Sequence, residues 1–262
     1  MRVVSLTYID QIRAFLNTDR CWADYALGDL EPELYQFTEW YGVVDEGVLI
    51  ALAMLFKGFE PPIFFAMGQG RGLELILDRV VREPRIGLSV REEHLPIVDR
   101  YYCTDARIPM WKMGLDASEF RPVASDGVRR LTMSDVPDLL ALYTFGGGDA
   151  FQPKEIESGV FFGLRQNGRL VAVAGTHVVS KSGRIAALGN VMTHPHHRGQ
   201  GLATIATCAV CAALIEQGIE TIGLSVARAN ASAIRVYEKL GFTKHVPFHE
   251  GMAVRREGGT LL

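Results

Sequence analysis

The stretch HPHHRGQGLATIATCAVCAALIEQG, residues 194–218, decides how the rest of the chain is read. Three histidines and an arginine run into Gly199 and Gly201, and an apolar segment begins at once. The preceding GRIAALGNVMTH, residues 183–194, has the composition of a strand. The apolar segment that follows reads as a helix closed by Gly218. A glycine-bearing turn between strand and helix leaves the first backbone N–H groups of the helix without intrahelical partners, and the helix dipole adds partial positive charge. Together these make an anion site suited to a phosphate or pyrophosphate. Gly199 and Gly201 can take positive φ and admit a ligand close to the backbone, and Arg198 adds a charge. Two other readings compete. One is a tight connection with glycines chosen for the bend. The other is a zinc site from His194, His196 and His197, weakened because adjacent side chains diverge and no partner follows at a fixed spacing. The dinucleotide fingerprint G-x-G-x-x-G and the P-loop are both absent.

Working outward, the C-terminal half alternates strands and helices. A polar seam at residues 120–128 precedes the short strand VRRLT, residues 128–132. SDVPDLLALY, residues 134–143, reads as a helix capped by Ser134 or Asp135 with Pro137 in its first turn. Residues 159–179 read as two strands around Asn167-Gly168, a strong hairpin signal. TIGLSV, residues 221–226, is a strand, residues 230–240 a helix closed by Gly241, and HEGMAVRR, residues 249–256, a final strand. The N-terminal half repeats this order in outline. A hairpin turns at Asp45-Glu46-Gly47, and a strand, helix and strand follow at 62–67, 71–81 and 85–90. A weaker helix interrupted by Pro96 and a strand at 110–115 close the half. The matching order suggests a duplicated unit, although residue identity between the halves is slight.

Bulk properties narrow the class. The chain has 262 residues, 48% hydrophobic and 22% charged, with a formal net charge of -3. That is ordinary for a globular protein, and nucleic acid or an anionic membrane is a poor partner for it. No apolar run is long enough to span a bilayer, the N-terminus lacks a signal-like core, and a cytoplasmic location is expected. Cys208 and Cys211 form a C-x-x-C inside the apolar helix; buried core thiols are expected there rather than a redox or zinc pair.

The second signal is ARANASAIRVYEKLGF, residues 227–242. If Asn230 opens the helix, Tyr237 lies seven residues on. Seven steps of about 100° fall close to two turns, so both share a side. Core packing alone would also place a tyrosine there.

The two stretches together resemble the GNAT superfamily of acyl-CoA-dependent N-acyltransferases. The family loop Q/R-x-x-G-x-G/A is matched from His196 to Gly201, with His196 in place of Gln or Arg. The pattern N-x-x-A-x-x-x-Y-x-x-x-G-F is matched in full by Asn230, Ala233, Tyr237, Gly241 and Phe242. The resemblance covers roughly residues 128–256. It implies an α/β (α+β) fold of tandem GNAT-like lobes, each a mixed, mostly antiparallel sheet flanked by helices. The lobes would be a degenerate one at 1–122 and the acetyltransferase domain at 127–262. It further implies acetyl-CoA as co-substrate and no metal. The pantetheine arm would lie between two splayed strands, against the backbone of Val191, Met192 and Thr193. Arg198, Gly199, Gln200, Gly201, Leu202, Ala203 and Thr204 would cradle the pyrophosphate, Asn230 would touch the cofactor, and Tyr237 would protonate the departing thiolate.

The implied chemistry is direct attack of an amine on the thioester carbonyl, with a backbone N–H near Val191 polarising that carbonyl. Many relatives carry a glutamate on the central strands as general base. Here residues 184–194 hold no acid, and Ser225 stands where some relatives have Glu. His194, His177, Asp149 and Glu155 remain candidates, as does a water chain. The N-terminal half lacks the arginine-led loop and the G-F closure, so no second cofactor is expected there, and that lobe is expected to shape the acceptor pocket. The leading function is acetylation of a primary amine of a small molecule, by a monomer or homodimer. The alternatives are a protein or peptide N-acetyltransferase and a non-catalytic acyl-CoA-binding module.

Overall fold

The computed structural model describes residues 1–104, 106–147 and 151–256. The N-terminal part runs β1 (Arg2–Ser5), α1 (Ile9–Leu16), α2 (Asp24–Gly28), α3 (Pro32–Tyr35), β2 (Thr38–Asp45), β3 (Val48–Phe56), β4 (Ile63–Gly68), α4 (Gly70–Arg79), β5 (Arg85–Arg91), α5 (Leu95–Tyr101), β6 (Tyr102–Cys103) and β7 (Arg107–Asp116). The C-terminal part runs β8 (Val128–Arg130), α6 (Val136–Tyr143), α7 (Lys154–Ser158), β9 (Phe162–Gln166), β10 (Arg169–Ser180), β11 (Ile185–Thr193), α8 (Leu202–Glu216), β12 (Thr221–Ala227), α9 (Ala231–Lys239) and β13 (Thr243–Arg255). Two compact units result, and neither is a single stretch of chain. The first takes Met1–Trp111, Ala227–Ala229 and the segment beginning at Val246; the second takes Lys112–Val226 and Asn230–His245.

In the first unit β1, β2, β3 and β4 are joined by antiparallel ladders, and β4 runs parallel to β5. The C-terminal strand completes this sheet, with Phe248–Val254 antiparallel to Arg85–Arg91. The hairpin turn carries Glu46 at φ +49 and Gly47 at φ +84, the backbone that a two-residue turn needs to match strand twist. Helix α4 buries Leu73, Ile76 and Leu77 in a core shared with Val43, Leu55, Phe64 and Val90. Pro96 opens α5 rather than interrupting it, because a proline in the first helical turn lacks only an N–H that would be unpaired anyway.

In the second unit β8, β9, β10 and β11 form antiparallel ladders, and β11 runs parallel to β12. Asn167 at φ +50 and Gly168 at φ +79 make the expected turn between β9 and β10. Both units are mixed, mostly antiparallel sheets with helices against them, as the resemblance implies. Asp135 is the N-cap of α6, one of the two positions expected, but its side chain makes no cap hydrogen bond to that helix. Thr132 and Asp135 form a capping box around a short 3-10 turn that precedes α6. Helix α8 lies against β9, β10 and β11 and is buried on most of its circumference, which explains its nearly unbroken apolar sequence. Its end is a Schellman motif: Gly218 N–H donates to Ile215 C=O at 2.9 Å and Ile219 N–H to Leu214 C=O at 3.1 Å, with Gly218 at φ +85. Among the described residues no helix is long and apolar enough to cross a membrane.

Candidate functional site

The site begins where a ladder ends. Strands β11 and β12 pair in register from Ile185↔Thr221 to Leu188↔Leu224, and β11 then continues unpaired on that side to Thr193. Facing backbone groups beyond Leu188 and Leu224 are thereby available to an extended ligand. The disturbance has a local cause. Between Gly175↔Gly189 and Val173↔Met192, strand β11 carries one more residue than β10. Asn190 sits in this bulge at φ +53, a left-handed conformation that asparagine tolerates better than most residues. Val191, Met192 and Thr193 follow it directly.

The chain leaves β11 with His194 N–H donating to Val171 C=O at 2.9 Å and passes through a 3-10 turn at Pro195–His197. Arg198 Nε donates back to Thr193 C=O at 3.3 Å. Gly199 and Gly201 then take φ +78 and +76, and Gly201 is the N-cap of α8. A Cβ built on either glycine meets nothing within 4 Å, so it is the backbone, not crowding by the protein, that calls for glycine here. The space beside the loop is open. Ile205 N–H donates to Gly201 C=O at 3.1 Å, so the amides of Leu202, Ala203 and Thr204 lie ahead of it in the positions of unpaired helix donors. The loop is also electropositive. Desolvation, then the neighbouring His197, His196, Arg169 and Arg198, hold the His194 imidazole below its ordinary pKa. Arg198 through Thr204 thus form one continuous turn with the features of an anion site, and the residues present fit a pyrophosphate. The His194 ring lies against those of Phe145, His196 and His197, and among the described residues no group of three or more His, Cys, Asp or Glu could hold a metal ion.

The second motif is a helix with both ends fixed. Asn230 caps α9, its Oδ1 accepting from Ala233 N–H at 3.1 Å and from Ser232 Oγ at 2.9 Å. Capping therefore occupies the carbonyl end of the Asn230 side chain. At the other end Gly241, φ +104, donates to Glu238 C=O at 3.2 Å, and Phe242 N–H donates to Tyr237 C=O at 3.1 Å. This is a second Schellman motif, with the Phe242 ring 5.9 Å from that of Tyr237 as its apolar contact. A Cβ on Gly241 would fall 2.3 Å from Glu119 C=O, so no other residue fits. The cap and the G-F closure together fix where Tyr237 sits. Tyr237 is buried, and desolvation, with the Cys211 thiol adding to it, pushes its phenol up to about 12. Cys208 and Cys211 are free thiols in the α8 core, as expected; burial pushes Cys211 well above the ordinary range, which makes it inert.

Of the four candidate bases, His194 lies on the cationic loop, and Asp149 lies outside the described residues. Glu155 and His177 come together at the bulge. Asn190 Nδ2 donates to Glu155 Oε2 at 2.8 Å and lies 3.4 Å from His177 Nδ1. Ser225 stands on β12 just past the last paired residue. Two residues of this region were not among those expected from the sequence. One is Asn190 itself; the other is Tyr143, whose hydroxyl donates to Asn190 C=O at 3.0 Å. The only signal for the first is a polar residue inside an apolar strand, and nothing marks the second.

Residues 130–242 match the acetyltransferase (GNAT) family. Over 83 residues the chain is 37% identical to the [ribosomal protein bS18]-alanine N-acetyltransferase of Escherichia coli K12, covering 32% of this chain and 54% of that enzyme. It is 36% identical over 88 residues to the mycothiol acetyltransferase of Thermobispora bispora, covering 32% of this chain and 30% of that one. The chain thus spans about half the length of the first of these curated relatives and less of the second. A tandem GNAT protein from the clavulanic acid biosynthesis pathway superposes with a TM-score of 0.59 at 13% identity, covering 97% of this chain and 98% of that one, a likeness of fold alone. The matched segment, which carries the diverging strands, the glycine turn and the capped tyrosine helix, is a GNAT-family domain.

Proposed function

We propose that the protein is an N-acetyltransferase that moves an acetyl group from acetyl-CoA to a primary amine of a small molecule by direct attack. The observation that carries this reading is the turn Arg198–Thr204. Two left-handed glycines, open space and leading helix amides stand together at the mouth of two strands that have just stopped pairing. The turn holds the pyrophosphate, the backbone of Val191–Thr193 holds the pantetheine arm, and Asn230 borders it. Acetyl-CoA supplies the activated acetyl group.

The protein's part is to orient that group and polarise it. The N–H near Val191 stabilises charge as it builds on the carbonyl oxygen, a contribution that grows when water is excluded. Tyr237 stays protonated at neutral pH. Its pKa of about 12 lies roughly three units above that of a thiol, so full transfer to the thiolate costs about 4 kcal/mol. The phenol therefore assists by hydrogen bonding to sulfur as charge develops, and transfer completes as the thiol departs.

One relative is named for an alanine of a ribosomal protein and the other for mycothiol, so a peptide amine is the second reading of the acceptor. Free-thiol release from acetyl-CoA, measured with small amines and with a peptide bearing a free alanine N-terminus, separates the two. Acetyl-CoA binding without turnover of any amine would reduce the chain to a binding module and contradict the proposal.

A further inference from the structure

We infer that Glu155, aimed by Asn190, is the carboxylate that receives the acceptor's ammonium group and takes its proton; this rests on the acetyltransferase reading. Two irregularities of the sheet meet at this point. Strand β11 has its extra residue after Gly189, and β10 has one between Thr176 and Val178, where His177 sits. Bulges re-aim side chains, and these two bring His177 and Asn190 side by side. A Cβ on Gly189 would lie 2.0 Å from His177 Nε2, so glycine at that position lets the ring lie across the strand. Helix α7 supplies the third member. Glu155 Oε2 accepts from Asn190 Nδ2 at 2.8 Å and lies 3.8 Å from His177 Nδ1, and its side chain is 15% exposed.

The chemistry of this cluster is directional. A carboxylate must face the NH₂ end of the amide, so the Asn190 orientation is fixed, and its second hydrogen points at His177 Nδ1. Asn190 C=O is held by the Tyr143 hydroxyl, so side chain and backbone of the bulge are both anchored. The residue after Asn190 is Val191, whose N–H polarises the thioester carbonyl in the reading above. The carboxylate is thus bonded to the neighbour of the group that activates the electrophile. Asn190 is a positioning residue; Glu155 is the group that meets substrate. The titratable groups around Asn190 are Tyr143 from α6, His177 from β10 and Glu155 from α7, where Lys154 and Glu157 are exposed.

The step balances as follows. One N–H bond of the ammonium breaks and an O–H bond forms on Glu155. The freed lone pair makes the C–N bond to the acetyl carbon, the C–S bond breaks, and its electron pair leaves on sulfur. The second nitrogen proton leaves with the thiol, Tyr237 being restored, and Glu155 returns its proton to solvent. The substrate class is a primary amine that arrives as a cation.

The test uses Glu155→Gln, which keeps an acceptor for Asn190 Nδ2 and removes only the charge. Alaninamide, glucosamine and putrescine serve as amines, with thiol release followed from pH 6 to 10. At pH 7 the variant should lose about 10²-fold in kcat/KM, and the loss should shrink to a few-fold as pH approaches the pKa of the amine, because the substrate then arrives neutral. In the coenzyme A complex, where no turnover occurs, amine affinity by calorimetry should fall about tenfold. Acetyl-CoA affinity should not change. A variant with native rates, or with a loss that is the same at every pH, overturns the assignment while leaving the acetyltransferase reading intact. A wild-type protein that binds acetyl-CoA and turns over none of the three amines overturns both.

Discussion

Each unit contains a parallel strand pair bridged by a helix, β4–α4–β5 in the first and β11–α8–β12 in the second, and the two differ in what stands beyond the last residue of that pairing. In the first unit the pairing ends at Phe65↔Ser89. Trp22 closes the place where the strands would open. Its indole N–H donates to Ala66 C=O at 3.1 Å, its ring stacks on Phe65 at 5.4 Å and meets Phe248 edge-on at 5.3 Å, and the Arg91 guanidinium lies 5.2 Å above it. The ring is 2% exposed. The backbone carbonyl that an extended ligand would use is taken by the protein. The glycines differ in kind as well. A Cβ on Gly68 or Gly72 would fall 2.5 Å from Ile50 C=O or Ala51 Cβ, so these serve close packing. Gly199 and Gly201 face open space. Equal element order therefore does not mean equal chemistry. A tryptophan and the surroundings of two glycines separate a filled wedge from an open one.

The contrast can be broken at four points. The largest effect belongs to Tyr237→Phe, which keeps the ring against Phe242 and removes the proton. Its kcat should fall about 10²- to 10⁴-fold, with acetyl-CoA affinity and melting temperature nearly unchanged. Native turnover in this variant would make Tyr237 a packing residue. Next is Trp22→Ala, which empties the first wedge and should cost about 3–5 kcal/mol in urea denaturation. A second acetyl-CoA site opening in that variant would mean that the plug alone closes the first unit. Gly201→Val forces a β-branched residue into the left-handed region, a strain of about 1–3 kcal/mol. Acetyl-CoA affinity should fall about ten- to a hundredfold in calorimetry, and an unchanged affinity would remove the cradle assignment. The smallest effect is Asn230→Ala, where loss of the α9 cap should lower stability by about 1 kcal/mol. A larger fall in acetyl-CoA affinity than in stability would show that Asn230 touches the ligand besides capping.

How much of this was legible in the sequence follows the range of each interaction. The second unit's elements were readable because their signals are local: Asn167-Gly168 for the hairpin, Gly218 and Gly241 for the helix ends, an apolar run for α8. The glycine turn was readable as a candidate anion site for the same reason, its geometry being complete within a few residues. Tyr237 could be named but not explained, because its placement depends on a Schellman cap that only the hydrogen bonds of Gly241 and Phe242 reveal. The Glu155–Asn190–His177 cluster was not legible as a unit. It depends on two offset bulges, and register has no signature in a single strand. Helices α2 and α3 span only five and four residues, too short for a periodic pattern, and Trp22 lies in the turn before α2, where no local signal marks it. The pairing of Phe248–Val254 with Arg85–Arg91 joins segments far apart in sequence, and nothing in HEGMAVRR specifies so distant a partner.

A ligand-receiving wedge confined to the second unit has a simple consequence in titration. Acetyl-CoA added to the full chain in a calorimeter should give one site per chain, abolished or severely weakened by Gly201→Val. Two sites per chain, or one site whose affinity ignores Gly201, would contradict the account.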